Sequence, residues 1–162
     1  MCGEIVNNLM KSFLAWLGFV GVSFAAGAVG GWATAPAISG WYEELTKPGW
    51  NPPGWVFGPV WTVLYALMGS AAWVAWRTGA RPAAWWAFGT QLALNSLWSI
   101  LFFGLRRPDL ALVQIVVLAA AIVWCAVRFG EANRLAGWMM TPNLAWVLFA
   151  SVLNGAIWWL NR

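Results

Sequence analysis

Long apolar runs separated by short polar connections dominate the chain. Five stretches approach the roughly 20 residues that a helix needs to cross the hydrocarbon of a bilayer. They are Lys11–Ala35, Val56–Trp76, Pro82–Gly104, Asp109–Phe129 and Leu135–Leu160. Backbone polar groups cannot stay unpaired in lipid, so such segments must be helices. The pattern therefore predicts an all-α membrane protein: a five-transmembrane-helix bundle with no strand. The connections Arg77–Arg81, Leu105–Pro108 and Gly130–Arg134 are short enough to set neighbouring helices antiparallel. They leave room for one domain only, over residues 1–162. Ala33-Thr34-Ala35 has the small-x-small look of a signal cleavage site, but a signal core spans only about 7–15 apolar residues. The first run is longer, and retention as the first helix is expected.

The connection at residues 36–55 breaks the pattern. Its sequence, PAISGWYEELTKPGWNPPGW, holds three tryptophans, a tyrosine, four prolines and two of the chain's five acidic residues. Proline fixes φ and removes a donor, so a semi-rigid, non-helical loop is expected, with at most a helical turn at Trp41–Leu45. Structured long loops are commonly lids. The rings of Trp41, Trp50 and Trp55 need an apolar support. Either an internal cavity supplies it, or the headgroup region does, as an aromatic belt.

Polar and aromatic residues within the spans fall into stripes. Gln91, Asn95 and Trp98 follow i, i+4, i+7, and Asn143, Trp146, Ala150 and Asn154 follow i, i+3, i+7, i+11. Trp61, Tyr65 and Met68 repeat the spacing on the second helix. Each set shares one helix face. Buried amides can be interhelical glue, worth about 0.6 kcal/mol each. Indoles are less easily explained so, because transmembrane contacts favour small residues. Converging indoles hold helices apart, and the cavity left between them suits a large, flat, apolar ligand with a few polar edges.

Composition agrees and narrows the chemistry. Of the 162 residues 62% are hydrophobic and 9% charged, with a mean hydropathy of +0.68. A soluble domain carries about 25% charged residues. Nine cations are scattered, with only Arg106 and Arg107 adjacent, which gives no nucleic-acid stripe. They divide five to four between the two ends of the bundle, too evenly to orient it. No histidine is present, which excludes imidazole-ligated haem, His-based zinc sites and His acid–base catalysis. Cys2 and Cys125 lack any metal or disulfide spacing, so no metal site and no required cofactor are expected. No carboxylate lies mid-span to serve as a proton relay, and Asp109 reads as a helix N-cap. The pairs Ala83/Ala87 and Gly27/Gly31 are small-xxx-small motifs of the kind that supports helix association.

Three ordered blocks resemble the tryptophan-rich sensory protein / translocator protein family, also called peripheral-type benzodiazepine receptors. The first runs from Trp41-Tyr42-Glu43-Glu44-Leu45-Thr46-Lys47-Pro48-Gly49-Trp50-Asn51-Pro52-Pro53 through Trp55-Val56-Phe57-Gly58 to Trp61 and Leu64-Tyr65. The second is Gln91-x3-Asn95-x2-Trp98 with Phe102-Phe103-Gly104, and the third is Pro142-x3-Trp146 with Leu153-Asn154.

The resemblance covers almost the whole chain. It implies a usually dimeric five-helix bundle in a bacterial membrane, with a pocket under the loop after helix one. The family's ligands are porphyrins, haem, sterols and isoquinoline carboxamide drugs. Matching positions place Trp41, Trp50, Trp61, Asn95, Trp98, Trp146 and Ala150 at the pocket. Bacterial members are associated with light-dependent breakdown of protoporphyrin IX, and Trp61 and Trp146 match the tryptophans tied to that role. Asn143 stands where the family usually has tyrosine after the proline, and Gly155 where the sterol element of animal members has tyrosine. The second departure favours a tetrapyrrole over cholesterol. The expected function is a tetrapyrrole-binding membrane sensor or regulator. Porphyrin photo-oxidation is the alternative. Transport ranks last, because five helices cannot be halved into inverted repeats.

Overall fold

The computed structural model of the chain describes residues 2–162, with Cys2 described by its backbone alone, so that cysteine's side chain lies outside the described residues. Cys125 is a buried free thiol. Among the described residues there is no strand. The helices are α1 (Cys2–Ile38), α2 (Trp41–Glu44), α3 (Gly54–Arg77), α4 (Pro82–Ser99), α5 (Pro108–Ala132), α6 (Arg134–Trp138) and α7 (Thr141–Leu160). A π-helical turn, Ile100–Gly104, continues α4. α1 packs on α3 and α4, α4 on α5, and α5 on α6 and α7. Four helical segments are long and apolar enough to cross a membrane: Gly3–Ile38, Gly54–Arg77, Pro108–Ala132 and Arg134–Leu160. α4 falls outside that group, its apolar character diluted by Thr90, Gln91, Asn95, Ser96 and Ser99.

Small side chains bring the helices together. Ala71, Ala72 and Ala75 on α3 and Ala84 and Ala87 on α4 are buried. At Gly69 a Cβ would stand 2.5 Å from the Val20 Cα and 2.9 Å from the Phe19 carbonyl oxygen. Here α1 and α3 touch backbone to backbone. Hydrogen bonds fix the register of this pair: the Trp16 indole donates to Ser70 Oγ (3.1 Å) and that of Trp73 to the Ser12 carbonyl (2.9 Å). Ser96 ties α4 to α1 through the Ala26 carbonyl (2.7 Å), and Gln114 ties α5 to α4 through that of Leu94 (2.7 Å).

Several boundaries differ from the sequence reading. α1 starts at Cys2 rather than near Lys11, because Glu4, Asn7, Asn8 and Lys11 recur at helical spacing instead of ending the helix. It also runs through Pro36 to Ile38, so the loop expected from residue 36 opens after Ile38 and gives way to α3 at Gly54. The turn expected near Trp41–Leu45 forms as α2.

Asp109 is not an N-cap. Pro108 occupies the first turn and makes Arg107 the cap residue, while Asp109 accepts two bonds from that arginine, at 2.9 and 2.7 Å. The last span is broken between α6 and α7, where Pro142 lacks the N–H that would bond the Trp138 carbonyl. Thr141 Oγ1 donates to that carbonyl instead, at 2.8 Å. Ala87 is fully buried inside the bundle, so the Ala83/Ala87 pair is not available to a second copy.

Candidate functional site

One cavity of about 490 Å³ opens where α1, α3, α4 and α7 diverge around the loop. Gly27, Gly31 and Thr34 form the α1 wall, and Phe57, Trp61 and Tyr65 the α3 wall. Trp98, Phe102 and Phe103 project from α4 and its π turn, and Trp146, Ala150 and Asn154 from α7. Glycine makes the first wall possible: a Cβ at Gly27 would lie 2.5 Å from the Tyr65 ring.

The aromatic residues hold one another. Trp61 stacks on Tyr65 with centroids 5.6 Å apart, Trp98 on Phe102 at 5.4 Å, and Phe57 meets Trp146 edge-on at 5.9 Å. The Trp98 indole donates to Asn154 Oδ1 (3.2 Å), and Asn154 Nδ2 donates to the Pro108 carbonyl (2.8 Å). This one asparagine therefore joins α4, α7 and the start of α5.

The loop is docked over this region from both sides. Trp41 packs edge-on against Phe102 (5.7 Å), and Tyr42 packs on Phe103 (5.5 Å). Lys47 Nζ lies 4.8 Å from the Tyr42 ring centroid. The Asn161 amide, just past the end of α7, accepts from the Thr46 N–H (2.9 Å) and donates to the Thr46 carbonyl (2.9 Å). Burial raises the pKa of the Tyr42 phenol, and the hydrogen bond it donates to Asn51 Oδ1 (3.1 Å) offsets this only in part. Tyr42 therefore stays a neutral polar group on the cavity wall.

Of the residues singled out from sequence, Trp61, Trp98, Trp146 and Ala150 line the cavity together. Trp41 and Trp50 do not. Trp41 supports the wall from behind, and Trp50 is half exposed and edge-on to Phe149 (5.9 Å). Trp55 lies at the rim, 75% exposed. Asn95, one turn before Trp98, is buried beneath the lining with neither amide atom hydrogen-bonded, as is Gln91. Asn143 donates to Met68 Sδ (3.3 Å), and its oxygen has no partner. Such groups cost about 1–3 kcal/mol each while unpaired, and none of these three lines the cavity. Phe57 and the α1 glycines were not anticipated as lining, although Phe102 continues the Gln91–Asn95–Trp98 stripe one turn further. Among the described residues no cluster of His, Cys, Asp and Glu could hold a metal ion.

Residues 19–160 match the TspO/MBR family. Tryptophan-rich protein TspO of Archaeoglobus fulgidus is 41% identical over 95% of this chain and 99% of its own length. Translocator protein of Sus scrofa is 36% identical over 91% and 92%, and tryptophan-rich sensory protein of Cereibacter sphaeroides 38% identical over 74% and 80%.

Proposed function

We propose that this chain, which belongs to the TspO/MBR family and is an integral, multi-pass membrane protein, is a membrane sensor whose cavity binds a flat tetrapyrrole such as protoporphyrin IX or haem. In this reading α4, flanked by the spans α1 and α5, is the fifth transmembrane helix. The supporting observation is the cavity itself. Three indoles from three helices, Trp61, Trp98 and Trp146, face a space of about 490 Å³ whose few polar groups include Tyr42, Ser99 and Asn154. That volume suits a drug-sized apolar ligand with a few fixed polar edges. Spectroscopic titration with protoporphyrin IX and with cholesterol tests the reading: saturable porphyrin binding is expected, and its absence would refute the proposal.

Light-dependent breakdown of the bound porphyrin is a second reading. The stacked Trp61–Tyr65 pair favours it, because two oxidisable rings would lie against the ligand.

The Asn161 clamp on Thr46 makes the loop a cover whose opening should limit ligand exchange. Two exposed hydrogen bonds are worth about 1 kcal/mol each at most. Asn161→Ala should therefore raise the porphyrin dissociation rate several-fold and leave the absorption spectrum of the complex unchanged. Stopped-flow displacement measures this; an unaltered rate would mean that the loop does not gate the cavity.

A homodimer remains part of the proposal. With Ala87 buried, the exposed small residues Gly89 and Ala93 offer the second copy a face on α4. Crosslinking in lipid between cysteines introduced at these two positions should give dimers, and monomer alone would defeat this arrangement.

A further inference from the structure

A second cavity, of about 270 Å³, lies at the opposite end of the bundle from the tryptophan cavity. Thr78 and Gly79 after α3, Arg81 before α4, and Arg128, Glu131 and Ala132 at the end of α5 line it. The backbone donors of the turn are already engaged, Gly79 N–H with the Trp76 carbonyl (3.1 Å) and Ala80 N–H with that of Ala75 (3.0 Å). Thr78 Oγ1 donates to the Val74 carbonyl (3.0 Å). Besides the Arg81 N–H, the free donors of this notch are the two guanidinium groups.

Arg128 is pre-oriented. Its Nη1 donates to both carboxylate oxygens of Glu131, at 3.0 and 3.2 Å. Its Nε is buried and has no partner. The Nε/Nη2 edge is the side of a guanidinium that grips an oxyanion in a fork. Arg107 does so elsewhere in this molecule, holding Asp109 through Nε (2.9 Å) and Nη2 (2.7 Å). In the notch Nη2 is unpaired and a small turn of the side chain would bring the buried Nε beside it, while Arg81 supplies a second positive charge on the same wall.

The geometry points to an oxyanion site here, formed by Arg81 and Arg128 and taking the phosphate group of an anionic phospholipid or a free phosphate at the membrane surface. The surroundings favour it. Lys11, Arg77, Arg81, Arg128 and Arg134 lie at this end, against Glu4 and Glu131 alone among acidic residues. Juxtamembrane cations attract anionic headgroups by about 1 kcal/mol each. Glu131 opposes the anion in charge, but it occupies Nη1 alone and leaves Nη2 unpaired.

The test uses the full chain in nanodiscs of phosphatidylcholine with and without phosphatidylglycerol, read by retained lipid in native mass spectrometry and by thermal stability. Wild type should retain phosphatidylglycerol and melt higher with it. The Arg81→Gln/Arg128→Gln double variant should bind it at least about tenfold more weakly. Arg77→Gln/Arg134→Gln, which removes equal charge outside the notch, should weaken binding clearly less than the first double; equal loss in both doubles would overturn the site in favour of diffuse surface charge.

Inorganic phosphate without phosphatidylglycerol distinguishes the sources. A stabilisation by phosphate that the first double variant abolishes assigns the site to the free ion. No effect of either anion overturns the proposal. Arg128→Lys keeps the charge and loses the fork, so it should weaken binding several-fold even if the double variant does not fold; wild-type binding by it would refute the forked grip.

Discussion

Gly69→Ala is expected to lower the unfolding temperature of the detergent-solubilised protein by roughly 10 °C. The added methyl would meet the Val20 Cα at 2.5 Å and the Val20 nitrogen at 2.8 Å. No side chain can turn aside to relieve that contact, so α1 and α3 must separate along their shared face. Forced overpacking costs typically about 1–3 kcal/mol, and backbone against backbone belongs at the upper end. For a chain of this size each kcal/mol is worth about 2–4 °C. Gly21→Ala on α1 is the matched control: nothing lies within 4 Å of a Cβ there. Relief of glycine's poor helix propensity should stabilise that variant by up to about 1 kcal/mol. A melting temperature for Gly69→Ala equal to that of wild type would disprove the helix contact.

The pocket tryptophans carry the second large effect. If protoporphyrin IX lies against Trp61 and Trp146, each Trp→Phe change should weaken binding only several-fold, because an aromatic pair contributes about 0.5–1.5 kcal/mol beyond area burial. Pigment loss under illumination should fall much further, since phenylalanine is far harder to oxidise than indole. Trp159, 60% exposed near the end of α7, should change neither quantity when replaced by Phe. Affinity by indole quenching and bleaching under lamp light, measured on all three variants, separate the two readings. Equal bleaching in wild type and both cavity variants leaves binding alone. Full affinity in Trp61→Ala and Trp146→Ala would make these rings packing, and the site assignment would fall.

Periodicity carried the all-helical fold and most of its boundaries, because lipid allows a long apolar run few other solutions. It misled where a polar residue looked like a border. Lys11 seemed to open the first span, yet Glu4, Asn7, Asn8 and Lys11 lie three or four apart and extend one helix. The expected span Leu135–Leu160 runs through Pro142, whose missing N–H breaks it four residues upstream, at Trp138. The π turn at Ile100–Gly104 left no trace that could be read, since ILFFG is an ordinary apolar run whose hydrogen-bond shift only the surrounding packing selects.

The cavity was partly legible. Stripes on three helices brought Trp61, Trp98 and Trp146 to one place because a helical face is a property of spacing. What spacing cannot supply is the depth of each residue along the bundle axis. Asn95 shares the face of Trp98 but sits one turn further in, below the lining. Trp41 and Trp50 belong to a loop without a period, so their direction depended on partners, Phe102 and Phe149, that no local pattern reveals.

The 37 residues of α1 have a consequence for where the bilayer lies. At 1.5 Å per residue the helix is about 55 Å long, against a hydrocarbon thickness of about 30 Å. Tilt cannot absorb the whole mismatch, because the bonds Trp16–Ser70 and Trp73–Ser12 tie α1 to α3 along their shared length. Residues 2–11, about 15 Å of helix, take up part of that surplus before Ser12, which lies one turn from the level at which α3 ends at Arg77. The first turn of α1, which carries Glu4, therefore reaches past the end of α3 as a short helical stalk on the bundle.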